Sequence, residues 1–113
     1  MNNAEGALRW AAEKYRLNGS LADGIAAMKL VNGRMDAYQG QVQGTFCADE
    51  VFCGRNPNRG TETCTVVEQM ASLELSFATF AEPALYDRVE RLVRATGPID
   101  LLITPCAVLG LVV

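Results

Sequence analysis

The sequence contains no histidine in 113 residues. That excludes Ser-His-Asp and Cys-His catalysis within the chain, together with every histidine-containing zinc site. Basic charge is scarce too: ten Lys and Arg stand against thirteen Asp and Glu, a formal charge of -3 with the two signs interspersed. Nucleic-acid binding through a basic patch is therefore disfavoured. No apolar run reaches the roughly 20 residues that a bilayer span needs. The most apolar stretch, 99–113, is interrupted by Asp100, Pro105 and Gly110, so no membrane anchor is expected. The first residues lack the charged start and apolar run of a secretory signal. Reduced thiols and a cytoplasmic location are the expectation for the four cysteines, Cys47, Cys53, Cys64 and Cys106. The alternative, a disulfide-stapled secreted helical protein, has Cys47 with Cys53 as its one suggestive pair.

What is present is a chain that should fold. Half of the residues are hydrophobic and a fifth are charged, which is neither disordered nor low-complexity, and 12.2 kDa suits one small domain. From Asn3 to Leu17, Ala4, Ala7, Leu8, Ala11, Ala12 and Tyr15 recur at helical spacing, with Arg9, Glu13, Lys14 and Arg16 largely opposite. Asn18-Gly19 stops this helix, and Ser20 with Asp23 resembles a capping box opening a second one that runs to about Tyr38. Its apolar positions are Leu21, Ile25, Met28, Val31, Met35 and Tyr38, with Gly24 and Gly33 weakening it by roughly 1 kcal/mol each relative to Ala at exposed positions.

Gln39 to Gly60 is a long irregular connection in which only Val42–Phe46 and Glu50–Cys53 are able to form short extended pieces; such loops are usually functional or disordered. A third helix begins near Thr61 as N-cap and carries Val66, Val67, Met70, Leu73, Phe77 and Phe80. A fourth starts at Pro83, with Leu85, Tyr86, Val89, Leu92 and Val93 as its apolar face, and Gly97-Pro98 ends it. The expected fold is all-α: two helical hairpins separated by one long loop. The large helix residues Trp10, Met28, Met70, Phe77 and Phe80 are assigned to the core.

Acids and thiols concentrate in the loop and the helix start after it, Gly44-Thr-Phe-Cys-Ala-Asp-Glu50 and Gly60-Thr-Glu-Thr-Cys64. Glu62 and Cys64 flank Thr63 in a first helical turn, where unpaired N–H groups and the positive helix end favour carboxylate and thiolate. Glu-x-Cys offers two ligands to zinc, and a closed tetrahedral site needs two more. On spacing alone the plainer reading also stands, in which Thr61 caps the helix, Glu62 complements its dipole and Cys64 is a small buried apolar residue. Arg55 and Arg59 in the loop are either polar contacts to a substrate or solvated charges.

The run from Gly44 through Phe46-Cys-Ala-Asp-Glu-Val-Phe-Cys-Gly and Arg59-Gly-Thr-Glu-Thr-Cys-Thr-Val-Val-Glu to Glu74 resembles the core of the β-L-arabinofuranosidase-like glycoside hydrolases, glycoside hydrolase family 127 and its relatives. Ala7-Leu-Arg-Trp, Asp36-Ala-Tyr-Gln-Gly-Gln-Val and Tyr86-Asp-Arg-Val-Glu-Arg-Leu92 resemble the flanking family helices, so the likeness covers residues 3–94. It implies an (α/α) barrel of six hairpins that hydrolyses L-arabinofuranosides or related glycans with retention. In that family a zinc ion held by one glutamate and three cysteines positions a thiolate nucleophile, and a second glutamate is the acid/base. Carried across by motif, Glu62 and Cys64 are zinc ligands and Glu50 is the acid/base, with Asp49 the rival carboxylate. A carbohydrate is the implied substrate.

The departures are specific. The family takes its remaining ligand and nucleophile from adjacent cysteines downstream, and this sequence has no adjacent pair; Cys47, Cys53 and Cys106 do not match that motif. Four helices stand where a barrel needs about twelve. Residues 95–113 leave the family pattern for a divergent apolar tail. The resemblance therefore implies a truncated portion of the barrel, 3–94, inactive alone for want of the nucleophile. The contrasting expectation is a small non-enzymatic helical interaction module, able to self-associate through exposed apolar faces.

Overall fold

A computed structural model describes residues 9–42, 44–47, 54–56, 58 and 60–96. They form an all-α structure of two helical hairpins: α1 (Trp10–Asn18), α2 (Leu21–Gln39), α3 (Thr63–Phe80) and α4 (Pro83–Thr96). Ala4, Ala7 and Leu8, the Gly97-Pro98 stop and the apolar tail lie outside the described residues.

Each hairpin turns on one residue in the left-handed region. Gly19 has φ 69°, and its N–H donates to the Tyr15 carbonyl at 2.8 Å, closing α1. Ser20 then caps α2, its Oγ accepting from the Asp23 N–H at 3.4 Å. The reciprocal arm of a capping box is absent, because the Ser20 N–H donates to Asn18 Oδ1 at 3.0 Å. In the second hairpin Ala81 takes the same place, with φ 53° and its N–H on the Phe77 carbonyl at 2.8 Å. Pro83 follows at the first position of α4, where a missing N–H is harmless.

The core joins both hairpins. Ala11 from α1, Ala27 and Met28 from α2, Leu73 from α3 and Leu85, Val89 and Leu92 from α4 are buried together, with Met70, Phe77 and Phe80 packed against them. Helix α3 touches all three others. Tyr15 meets Phe80 at a ring-centroid distance of 6.0 Å, and Phe77 meets Tyr86 at 5.3 Å.

Several faces are rotated from the sequence expectation. On α2 the buried positions are Gly24, Ala27, Met28 and Gln39, whereas Leu21 and Tyr38 are exposed. Small residues allow close approach to α1 and α3, so they, and not the larger apolar ones, set the packed face. Gly24 shows why: a Cβ there would stand 2.8 Å from Phe80 Cε1 and 2.9 Å from Tyr15 Cβ. Gly33 is open to solvent, as assumed for both. Tyr86 and Val93 of α4 are exposed, and Trp10 is 48% exposed with Lys14 Nζ 5.1 Å from its ring centroid, so Trp10 does not belong to the core. Helix α3 buries far more than an apolar stripe: Thr65, Glu68, Gln69, Ser72 and Ser76 are all buried beside Cys64, Val66 and Leu73. Glu68 is ion-paired with Arg9 at the start of α1.

Candidate functional site

The long connection is built in its first part as a tight reversal after α2. Gly40 and Phe46 form an antiparallel bridge, the Gln41 N–H donates to the Thr45 carbonyl (2.9 Å), and the Cys47 N–H donates to the Gln39 carbonyl (2.7 Å). Gly44 sits at the bend with φ 94°, which explains glycine there. Gly40 is required for another reason, since a Cβ would lie 2.6 Å from the Asp36 carbonyl oxygen. Thr45, Phe46 and Cys47 are buried as a plug of side chains under the loop, whereas Val42, the first residue of the expected extended piece, is fully exposed.

Side chains from three helices hold this plug. Arg88 of α4 donates to the Gly44 carbonyl through Nε (3.3 Å) and Nη2 (3.0 Å). It also forms a two-pronged ion pair with Asp36, Nη1 to Oδ2 at 3.0 Å and Nη2 to Oδ1 at 2.6 Å. Its guanidinium carbon stands 4.8 Å from the Phe46 ring centroid. Gln69 of α3 adds Nε2 to the same Gly44 carbonyl at 3.1 Å. From α2, buried Gln39 accepts the Gly54 N–H at Oε1 (3.0 Å), while Arg55 Nε donates to the Gly40 carbonyl (3.2 Å).

The returning chain lies beside the plug. Thr61 Oγ1 donates to the Phe46 carbonyl (3.3 Å), and Cys47 Sγ is 3.7 Å from the Gly60 carbonyl oxygen. This corrects the N-cap: the Thr61 hydroxyl is used by Phe46, α3 starts at Thr63, and Glu62 is the cap residue with no side-chain capping bond. The start of α3, with half-buried Glu62 and buried Cys64, is thereby brought next to the Phe46–Cys47 segment.

Of the expected site residues, Glu62 and Cys64 thus share one helix start, whereas Glu50, its rival Asp49, Arg59 and the pair candidate Cys53 lie outside the described residues. The expectation of reduced thiols holds at Cys64, a buried cysteine outside any disulfide, and fails at Cys47, which is disulfide-bonded. A sulfur in a disulfide is no thiolate, so Cys47 adds no metal donor. Among the described residues no three His, Cys, Asp or Glu side chains come together as a metal-holding group. The described residues therefore do not fit a closed zinc site; Glu62 and Cys64 offer half of one. Also among the described residues, no helix is long and apolar enough to cross a membrane.

The Arg88–Asp36–Gln69 cluster was not singled out by the sequence reading. A signal for it exists: Arg88 interrupts the stripe Leu85, Val89, Leu92, where a charge requires a buried partner. Comparison with known proteins adds no neighbour, since no family model, curated protein or solved structure matches this chain.

Proposed function

We propose that the chain is a portion of the catalytic barrel of a retaining glycoside hydrolase acting on L-arabinofuranosides or related glycans, and that it is catalytically incomplete alone. The observation that carries this reading is the placement of Glu62 and the reduced cysteine Cys64 at one helix start beside the Phe46–Cys47 segment, within the sequence run that resembles the β-L-arabinofuranosidase-like enzymes. Two antiparallel helical hairpins are compatible with a share of a six-hairpin barrel. Exposed Leu21, Leu30, Tyr38 and Val93 also suit a surface covered by further helices.

In this reading Glu50 donates a proton to the departing sugar oxygen and then takes one from the incoming water, the two steps of a retaining mechanism. The nucleophile belongs to a segment this chain lacks. Zinc, where present in the whole enzyme, would lower a thiol pKa; Glu62 and Cys64 are this chain's contribution to holding it. The test captures the endogenous product with antibody raised against residues 44–74 and assays it on p-nitrophenyl β-L-arabinofuranoside, beside the 113-residue chain. Hydrolysis by a captured product several times 12.2 kDa, with none by the short chain, is the expected result. An inert captured product of about that short mass would overturn it.

The same exposed apolar residues favour a second reading, a non-enzymatic helical module that associates with itself or a partner. A defined oligomer of the short chain without sugar affinity would be its mark.

A further inference from the structure

Where the end of α2, the Gly40–Gly44 turn and α4 meet, a pocket of about 270 Å³ opens, bordered by Asp36, Gly40, Gln41, Arg55, Arg88 and Arg91 among others. Neither Glu62 nor Cys64 borders it. Three arginines and one aspartate line it, an excess of two positive charges on a chain whose formal charge is -3. Local accumulation of this kind is not a consequence of composition. Arg88 is neutralised by Asp36. Arg55 spends Nε on the Gly40 carbonyl and retains its two terminal nitrogens, and Arg91 has no ion pair among the described residues. Guanidinium forks in this state match the oxygens of phosphate or carboxylate.

A second cavity of about 370 Å³ shares the Asp36, Arg88 and Arg91 wall and adds Lys29 and Glu82, whose charges offset each other, with Asn32 and the apolar Met28 and Leu85.

We propose that this double pocket binds a small phosphomonoester. Its phosphate lies between Arg55 and Arg91. Charge selects phosphate over carboxylate: a phosphomonoester carries about -1.5 to -2 at neutral pH and meets the excess of two, where a carboxylate meets half of it. The site is distinct from the centre of the glycosidase reading, because it includes none of Glu50, Glu62 and Cys64.

The test uses the full isotopically labelled chain and follows amide shifts during titration with inorganic phosphate, sodium acetate and glycerol 3-phosphate at constant ionic strength. Saturable shifts at Gly40, Gln41, Gly44 and Arg91 are expected with phosphate, and acetate should bind about tenfold more weakly. Arg91→Ala and Arg55→Ala should each weaken phosphate binding by about tenfold while leaving the helical circular dichroism unchanged, since both side chains are exposed. Glycerol 3-phosphate should shift the same amides as inorganic phosphate. No saturable shift, equal affinity for acetate and phosphate, or phosphate affinity unchanged in both arginine variants would overturn the proposal.

Discussion

The two hairpins use the same turn geometry and opposite kinds of interior. In the first, α1 and α2 pack through small residues, Ala11, Ala12, Gly24 and Ala27. In the second, α3 and α4 bury Thr65, Gln69, Ser72, Ser76 and Arg88 as well as Leu73, Leu85 and Leu92. The contrast follows from what each must hold. The first hairpin needs only close approach, which small side chains allow. The second carries a long loop whose backbone groups are buried, and each such group requires a hydrogen-bond partner. The Gly44 carbonyl obtains two, from Gln69 and Arg88, helices apart in sequence.

The largest expected effect breaks the polar interior. Arg88→Ala removes both donors that this residue gives to Gly44, the contact with Phe46 and the partner of Asp36. Asp36 is half exposed and regains water, so the cost stays below that of a fully buried pair, at about 2–3 kcal/mol. Chemical denaturation should show it, and the amides of 44–47 should lose exchange protection first. A loss below about 0.5 kcal/mol would mean that the loop is held by its own bridge.

The next effect breaks the small-residue interior. Gly24→Ala places a Cβ against Phe80 and Tyr15, and the Tyr15 Cβ cannot swing away. A cost of about 1–3 kcal/mol is expected from overpacking, against the usual helix preference for Ala. Gly33→Ala, with nothing within 4 Å, should instead stabilise α2 by about 0.5–1 kcal/mol. Thermal melts of the two variants should move in opposite directions; the same direction would mean that α1 and α2 are not packed through Gly24.

These contrasts also mark what was legible beforehand. The four helices and the first turn were readable, because Asn18-Gly19-Ser20 and Pro83 act on their own neighbours. The facing of α2 was not, since periodicity finds apolar positions and cannot tell that glycine and alanine set the distance between helices. Glu62 and Cys64 were found as a pair from spacing, while the shift of the cap from Thr61 to Glu62 depended on the Phe46 carbonyl, fifteen residues away. The disulfide state of Cys47 stood only in the alternative that paired it with Cys53, for a related reason: spacing among four cysteines does not say which thiols meet.

The smallest effect sharpens the comparison at the two turns, where geometry is shared and residue type differs. Gly19 and Ala81 both occupy the left-handed region, and both donate an N–H to the carbonyl four residues back at 2.8 Å. Glycine meets this backbone at no steric cost, whereas the Ala81 Cβ crowds its own carbonyl by about 1 kcal/mol. Ala81→Gly should therefore stabilise the second hairpin, by less than about 1 kcal/mol because glycine also frees the unfolded chain. Gly19→Ala should destabilise the first by about 1 kcal/mol, with nothing within 4 Å of the added Cβ to confuse the reading. Shifts of opposite sign in denaturation midpoint, at unchanged slope, are the expected outcome. If Ala81→Gly is neutral or harmful, Ala81 stays left-handed because α3 and α4 together impose it, and the second turn is set by packing and Pro83 with no contribution from its own residue preference.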